Sequence, residues 1–190
     1  MLKELKTSII IFAVLTVITG VVYPLFITAA AQALFRRQAN GSLIYRNGQA
    51  IGSRLIGQQF DDPKYFWERL SATSPSAFNA SSSSGSNLGP SNPALVDEAA
   101  ARVKALKAAD PGNQAFIPVD LVTSSASGLD PQISPAAALY QVARVSRLRG
   151  LPQDRVRQLV SRHTSARFLG LIGEPAVNVL ELNCALDGQK

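Results

Sequence analysis

Residue types that build most enzyme sites are scarce in this sequence. Among 190 residues there is one cysteine, Cys184, and one histidine, His163. A single cysteine excludes an internal disulfide, and no CxxC or HExxH pattern is present to bind a metal. No GxSxG sequence, P-loop or kinase sequence is present either. We therefore expect a non-catalytic chain without a metal site, with Cys184 as a small buried residue in the last strand.

Charged residues are absent from one long N-terminal stretch. No Asp, Glu, Lys or Arg lies between Lys6 and Arg36. A helix over residues 8–31 would be about 36 Å long at ~1.5 Å per residue, which crosses a hydrocarbon core of ~30 Å with some tilt. A cleaved signal peptide is the alternative, because Ala31-Gln32-Ala33 resembles a cleavage site, but this apolar stretch is nearly twice the usual ~7–15 residues. An uncleaved membrane anchor is the better interpretation.

The orientation of this anchor depends on weak charge signals. Lysines precede the helix and two arginines follow it, so the positive charges on the two sides nearly cancel. Long domains are translocated largely regardless of charge, and we favour a cytoplasmic N-terminus. The resulting prediction is a cytoplasmic tail at 1–6, a transmembrane helix at 7–34 and an extracytoplasmic soluble domain at 35–190.

Pro24 interrupts the predicted membrane helix. Its ring removes one backbone hydrogen bond and favours a kink, and neighbouring helices can satisfy the carbonyl that is freed. Tyr23 beside it offers a hydroxyl group. We therefore predict that Tyr23 and Pro24 contact partner helices. A lone anchor surrounded by lipid is the alternative that the sequence leaves open.

The rest of the sequence is typical of an α+β fold with hairpin strands and a basic helical hairpin. Asn47-Gly48 between two short β-type runs predicts a hairpin with a type I′ turn. Further strands are predicted at 115–123, as an edge strand because of Pro118, and at 177–183.

Three helices are predicted from their start and stop signals. One begins at Asn92-Pro93 and ends at Asp110, the second begins at Ser134-Pro135 and ends at Gly150, and the third begins at Pro152. The spacing of apolar residues predicts the buried positions, which are Leu95, Ala99, Val103 and Leu106, then Leu139, Val142 and Val145 or Ser146, and finally Val156, Leu159 and Val160.

Two segments of the soluble part allow two interpretations each. The aromatic segment Tyr65-Phe66-Trp67 either seals the hairpin onto the core or forms an exposed docking patch. Residues 71–93 are rich in Ser, Gly, Asn and Pro. This segment is either a flexible linker or a long functional loop, because long loops in compact domains tend to be functional or disordered.

The basic residues are concentrated in one region. Residues 140–167 contain seven arginines and one acid, a net charge of +6 that equals the charge of the whole chain. Nucleic acid is a poor candidate partner, because no aromatic stacking residues accompany the arginines. An anionic lipid, a nucleotide phosphate or an acidic partner would each fit. A solvated helix face is the alternative.

The hydroxyl-rich turn at 123–131 precedes the second helix. Its consecutive backbone N–H groups, close to a helix N-terminus, could hold an anion or a polar loop of a partner. The alternative is a local turn in which Asp130 and Ser134 cap neighbouring N–H groups. The physical chemistry of the residues favours the local turn.

Several segments together resemble a known family. They are TGVVYPL, QANGSLI, GSRLIGQQF, SGSNLGPSNP, VTSSASGLDPQIS and VNVLELNCALD. In this order, over essentially the full length, the sequence is similar to the C subunit of the Kdp-type potassium-transporting ATPase.

The resemblance implies a non-catalytic, single-span inner-membrane subunit. Its partners would be a channel-like potassium-translocating subunit, a P-type ATPase subunit and a small single-span subunit, with the soluble domain near the ion entrance. The turn residues Gly128, Leu129, Asp130 and Pro131 are then expected to contact these partners.

The resemblance also implies a role as a catalytic chaperone that raises the affinity of the pump subunit for ATP. A glutamine of the family has been linked to nucleotide binding, and Gln141 matches it. Arg144, Ser127 and Gly128 are the residues that would accompany Gln141 at an ATP site. An extracytoplasmic domain does not meet cytoplasmic ATP, so we favour assembly and gating over direct nucleotide contact.

One segment departs from the family pattern. The aromatic segment of the family resembles YFxGRPSAT, whereas this sequence has YFWERLSAT, with Glu68 in place of Gly and Leu70 in place of Pro. A tight turn there would be remodelled, which puts any partner contact at this segment in doubt.

Overall fold

The computed structural model describes residues 2–189. The chain divides into two compact units, the first ending at Leu43 and the second beginning at Ile44.

The first unit is dominated by one long apolar helix. It runs from Leu2 to Leu34, 33 residues that are apolar enough to cross a membrane, and it comprises α1 (Leu2–Val17), a π-helical turn (Ile18–Val22) and α2 (Tyr23–Leu34). A short helix, α3 (Arg36–Ala39), follows. No side chain of α1 or α2 is buried within the described chain, so the apolar surface of this helix is available to lipid or to other helices.

The irregularity predicted at Pro24 is a widened helical turn. The π-helical turn ends immediately before α2, and the backbone N–H of Tyr23 bonds to the carbonyl of Ile18, five residues earlier. Proline has no N–H, and its ring clashes with the carbonyl four residues before it in a regular helix. The wider turn is therefore a physical response to Pro24.

The predicted hairpin begins at Leu43, the last residue of the first unit, and otherwise belongs to the second unit. Strands β1 (Leu43–Arg46) and β2 (Gln49–Ser53) pair with each other. Asn47 and Gly48 have φ values of 52° and 79°, as a type I′ turn requires. The hairpin prediction is confirmed.

The three predicted helices are also confirmed, and α4 and α5 begin at the predicted capping residues. They are α4 (Pro93–Ala109), α5 (Pro135–Arg149) and α6 (Gln153–Arg162). Asn92 accepts a hydrogen bond from the N–H of Ala94, and Ser134 accepts one from Ala137. Gly150 ends α5 in the left-handed conformation.

A small antiparallel sheet holds the C-terminal half together. Its strands are β3 (Gln132–Ile133), β4 (Thr164–Ser165) and β5 (Ala176–Asn178), in the order β3-β5-β4. Gln132 pairs with Asn178, and Thr164 pairs with Val177. The sheet thereby links the entrance of α5, the exit of α6 and the start of the last helix, α7 (Val179–Asp187).

Two strand predictions are wrong. The segment 115–123 forms only a 3-10 turn, Val119–Leu121, after Pro118. The segment 177–183 is a strand only up to Asn178, whose side chain accepts from the N–H of Glu181 and so starts α7. Cys184 therefore lies on a helix, partly buried, and not in a strand. The alternating pattern misled the prediction because a short helix with Val179, Leu182 and Leu186 inward fits the same residues.

The core lies between the helices α5, α6 and α7 and the small sheet. The predicted inward residues of α6 are all buried, and so are Val142, Val145 and Ser146 of α5, whereas Leu139 is exposed, contrary to prediction. On α4 only Leu106 is buried. The fold is thus α+β with one N-terminal apolar helix. The apolar residues of the buried cluster are Phe66, Trp67, Leu106, Leu121, Ile133, Ala137, Ala138, Val142, Val145, Val156, Leu159, Val160, Val177, Val179, Leu182 and Leu186.

Candidate functional site

Gln141 is buried and holds the aromatic segment in place. Its side chain is only 1% exposed. Its Oε1 accepts from the N–H of Trp67 at 2.8 Å, and its Nε2 donates to the carbonyl of Trp67 at 3.0 Å and to that of Ala137 at 3.2 Å. The side-chain amide of Gln141 thus bonds to both backbone groups of Trp67, as a neighbouring strand would in a sheet. Without it, these backbone groups would be buried without hydrogen bonds.

Arg144 extends this arrangement one helical turn along α5. Its Nη2 donates to Oε1 of Gln141 at 2.5 Å, and its Nη1 donates to the carbonyls of Tyr65, at 3.0 Å, and of Pro63. Its guanidinium also lies 4.8 Å from the ring centroid of Trp67. Burial lowers the pKa of Arg144 to about 10, so the side chain keeps its charge at neutral pH.

The aromatic segment belongs to the core and is not an exposed patch. Phe66 and Trp67 are buried, and the N–H and carbonyl of Phe66 bond to the side chain of Asn183 on α7. A second arginine, Arg102 of α4, lies 5.0 Å from the Trp67 ring centroid. Side chains from α4, α5 and α7 therefore converge on two consecutive aromatic residues.

Much of the basic helical hairpin pairs within the fold. Arg147 lies 2.9 Å from Asp110, and Arg149 lies 2.7 Å from Asp187. Asp187 also accepts from Arg46 of β1 at 2.8 Å and from the Tyr65 hydroxyl at 3.2 Å. Burial raises the pKa of Asp187, but the hydrogen bonds from Arg46 and Arg149 outweigh this effect, and the net result is a pKa below its usual value.

The backbone N–H groups of the turn at 125–132 bond to its own side chains. The N–H of Gly128 donates to the Ser125 hydroxyl at 2.9 Å, that of Leu129 to the Ser127 hydroxyl at 3.1 Å, and that of Gln132 to Asp130 at 3.0 Å. This is the geometry of local Asx-type and serine turns. The local-turn interpretation therefore describes the structure, and these N–H groups are already engaged.

The serine-rich segment packs directly on this turn. The Ser71 hydroxyl donates to the carbonyl of Gly128 at 2.6 Å, and the N–H of Ser84 donates to the carbonyl of Ser127 at 3.0 Å. Gly128 has φ +66°, and a Cβ there would lie 2.4 Å from the carbonyl oxygen of Ser84. Residues 71–86 thus form a folded surface loop, and only glycine fits at the contact.

The far side of the turn is tied to the rest of the unit. Asp130 accepts from Arg69 at 3.1 Å. The carbonyl of Leu129 accepts from the N–H of Gly57 at 2.9 Å, and the carbonyl of Pro131 accepts from the N–H of Val179 at 3.0 Å. Leu129, Asp130 and Pro131 are each partly buried, while Ser127 is exposed. A partner could therefore reach the turn at its rim, where Ser127 lies.

Glu68, one of the two departures from the family pattern, is a buried acid. It is 3% exposed. Its Oε2 accepts from the N–H of Gln58 at 3.2 Å, and its Oε1 has no hydrogen-bond partner in the described part of the chain. Burial, with a contribution from Asp130, raises the pKa of Glu68 to about 9. Glu68 is therefore neutral at pH 7. Leu70, the other departure, forms a single bridge to Ser124.

Tyr23 and Pro24 lie in the first unit, at the start of α2, directly after the π-helical turn. Tyr23 is exposed. Within residues 2–189 no group of three or more His, Cys, Asp or Glu side chains is placed to hold a metal ion.

An apolar spanning helix joined to a small α+β unit defines a membrane-anchored protein. A profile of the KdpC family, described as the c chain of K+-transporting ATPases, matches residues 5–188. The chain belongs to the KdpC family and is therefore a membrane-bound subunit of a potassium-transporting ATPase.

Individual relatives agree over almost the entire chain. The KdpC subunit of the potassium-transporting ATPase of Polaromonas naphthalenivorans is 62% identical over 186 residues, covering 98% of this chain and 95% of that protein. The KdpC subunit of Herpetosiphon aurantiacus is 65% identical over 180 residues, covering 95% and 92%. That of Sorangium cellulosum is 58% identical over 190 residues and covers all of both chains.

Sequence reasoning missed two residues that organise the site. Asp187 was not singled out, although it lies close to the arginines of α5 and to Arg46 in space. Arg102 was not singled out either, although its guanidinium donates to the carbonyls of Glu68 and Leu121. No local pattern marks these residues, because their partners lie far away in sequence.

Proposed function

We propose that this chain is a non-catalytic assembly subunit of the potassium-transporting ATPase. Its spanning helix packs against helices of the channel-like and pump subunits, and its soluble unit lies on the extracytoplasmic side. The observation that carries this proposal is the long apolar helix, of which no residue in α1 or α2 is buried within the described chain. The widened turn before Pro24 supports a packed helix, because such turns occur frequently at functional sites.

Co-purification of the complex tests this role. We expect deletion of residues 36–190 to leave ATPase chemistry possible but to weaken assembly of the complex or its apparent potassium affinity. Within the span, Tyr23→Ala is expected to reduce recovery of this chain with a tagged channel-like subunit. Phe12→Ala is the matched control, because Phe12 is also an exposed aromatic residue of the same helix. A fully active, stoichiometric complex after the deletion would contradict the proposal.

We further propose that any effect on the ATP affinity of the pump subunit is indirect. Three of the four residues considered for an ATP site already have partners inside the fold: Gln141 bonds to Trp67, Arg144 to Tyr65, and Gly128 to Ser125. To contact a nucleotide, Gln141 would have to leave the buried backbone groups of Trp67 without partners. Subunit contacts therefore offer the simpler route to a chaperone effect.

Equilibrium binding of labelled ATP to the full-length chain in detergent distinguishes the two routes. We expect no saturable binding by the chain alone, and altered ATP affinity only in the assembled pump. Direct binding would be indicated by saturation with the wild-type chain and its loss in Gln141→Ala, provided that the variant unfolds at the same temperature as the wild type. Ser127→Ala serves as a second probe, because Ser127 is exposed and its loss disturbs the core least.

A further inference from the structure

The loop between β4 and β5 is a well-defined hairpin with an apolar end. Phe168 and Ile172 exchange backbone hydrogen bonds of 2.8 and 3.0 Å. At the base of the loop, Arg167 contacts both carboxylate oxygens of Glu174, at 2.7 and 2.8 Å. The loop is therefore held at its base and closed near its end.

Four large apolar side chains form the end of this hairpin, here called the apolar tip: Phe168, Leu169, Leu171 and Ile172. They are between 66% and 82% exposed. Leu169 has φ 52°, an unfavourable conformation for a bulky residue. Contiguous apolar patches larger than a few hundred Å² are rare on soluble monomers and mark contacts with proteins or membranes.

Charges around the apolar tip favour a bilayer as its partner. Helix α6 leads into the hairpin and carries Arg157 and Arg162, both exposed. Arg157 lines the same depression as Gly170 of the hairpin. Glu174 is the acid nearest the tip in sequence, and it is paired with Arg167. Apolar side chains next to arginines are the combination that binds the interface of membranes containing anionic lipids.

The chain itself tethers the soluble unit to a membrane. Only residues 35–42 join the spanning helix to β1. Even fully extended, such a segment would reach only about 30 Å at ~3.3–3.6 Å per residue, and the helix α3 within it makes it shorter. The soluble unit is thus tethered to the membrane, and even a modest affinity for lipid is strengthened by the high effective concentration that a tether gives.

We propose that the apolar tip inserts into the interfacial layer of a phospholipid bilayer, with the arginines of α6 at anionic headgroups. This second membrane contact would restrict the rotation of the soluble unit about its anchor. It is a separate surface from the spanning helix, to which the assembly role is assigned.

Tryptophan fluorescence of the full-length chain in vesicles tests this insertion. The variant Leu171→Trp is reconstituted in phosphatidylcholine vesicles that contain phosphatidylglycerol and a brominated phospholipid quencher. Phe116→Trp is the matched control, since Phe116 is fully exposed on the same unit. The native Trp67 is buried and contributes equally to both variants. We expect at least twofold stronger quenching at position 171 than at position 116, increasing with the phosphatidylglycerol fraction.

Equal quenching at the two positions would overturn the proposal. Quenching that does not depend on phosphatidylglycerol would overturn the role of the arginines. The alternative occupant is a protein, which could also use the adjacent depression of about 600 Å³ lined by Leu139 and Pro175, among others. A water-soluble quencher tests this alternative in the Leu171→Trp variant. If the introduced indole is protected from the quencher only when the other subunits are present, a protein covers the apolar tip, and insertion into lipid is contradicted.

Discussion

Replacing Glu68 with glutamine should stabilise the soluble unit at neutral and alkaline pH. In the folded chain the pKa of this buried acid is raised from 4.5 to about 9. Between these values the folded state holds a proton that the unfolded chain has released, so the free energy of unfolding falls as pH rises. One pKa unit corresponds to about 1.4 kcal/mol, and the expected loss between pH 5 and pH 8 is therefore roughly 4 kcal/mol. Glu68→Gln keeps the shape and removes the titration.

The single tryptophan provides the assay. Trp67 is buried next to Glu68, so urea unfolding of the full-length chain in detergent can be followed by its fluorescence at pH 5 and pH 8. The free-energy advantage of Glu68→Gln over the wild type should be about 1 kcal/mol or less at pH 5 and roughly 5 kcal/mol at pH 8. Glu98→Gln, at an exposed position of α4, should have no such effect.

One outcome would refute this reasoning: an advantage of Glu68→Gln that is the same at pH 5 and pH 8. It would mean that Glu68 is ionised in the folded chain. Burial also lowers the pKa of His163, which adds a pH dependence of its own. Its contribution cancels, because the comparison is between two chains that both contain it.

Two further substitutions test the turn and the charge network by thermal or urea unfolding. Gly128→Ala should destabilise the fold by at least ~3 kcal/mol. The control Gly150→Ala has the same φ of 66° but lies in open space, and it should cost only about 1 kcal/mol. Similar losses in the two variants would mean that the contact between Gly128 and the serine-rich loop is not tight. Asp187→Asn should cost about 2 kcal/mol at pH 7. The pKa of Asp187 is lowered in the folded chain. The stabilisation by this carboxylate is therefore present above its pKa in the unfolded chain and disappears as pH falls through its pKa in the folded chain. The free energies of unfolding of the wild type and Asp187→Asn should thus become equal at acidic pH. The control is Asp154→Asn, at an exposed position. A difference in free energy of unfolding between the wild type and Asp187→Asn that stays constant at all pH values would contradict the role given to the Asp187 carboxylate.

Local signals in the sequence were sufficient for the elements with strong capping chemistry. Asn47-Gly48, Asn92-Pro93, Ser134-Pro135 and Gly150 each determine backbone angles or satisfy N–H groups within a few residues. The uninterrupted apolar run likewise predicted the spanning helix. These features depend only on neighbouring residues, and the fold class follows from them.

The candidate site could not be predicted to the same depth, because its contacts are distant in sequence. Gln141 and Trp67 are 74 residues apart, and Ser71 and Gly128 are 57 apart. Composition suggested a linker or a long loop at 71–93, but only the structure reveals that its hydroxyls bond to the turn. The strand predicted at 177–183 failed for a related reason, since Asn178 acts as a helix cap only in its folded setting.

The position of Asp187 at the end of α7 has a consequence for biosynthesis. This one carboxylate joins the first strand, through Arg46, to the last turn of α5, through Arg149, and the same helix supplies Leu182 and Leu186 to the core. While the ribosome still holds residues 179–187, the soluble unit therefore lacks this link between β1 and α5 and two leucines of its core.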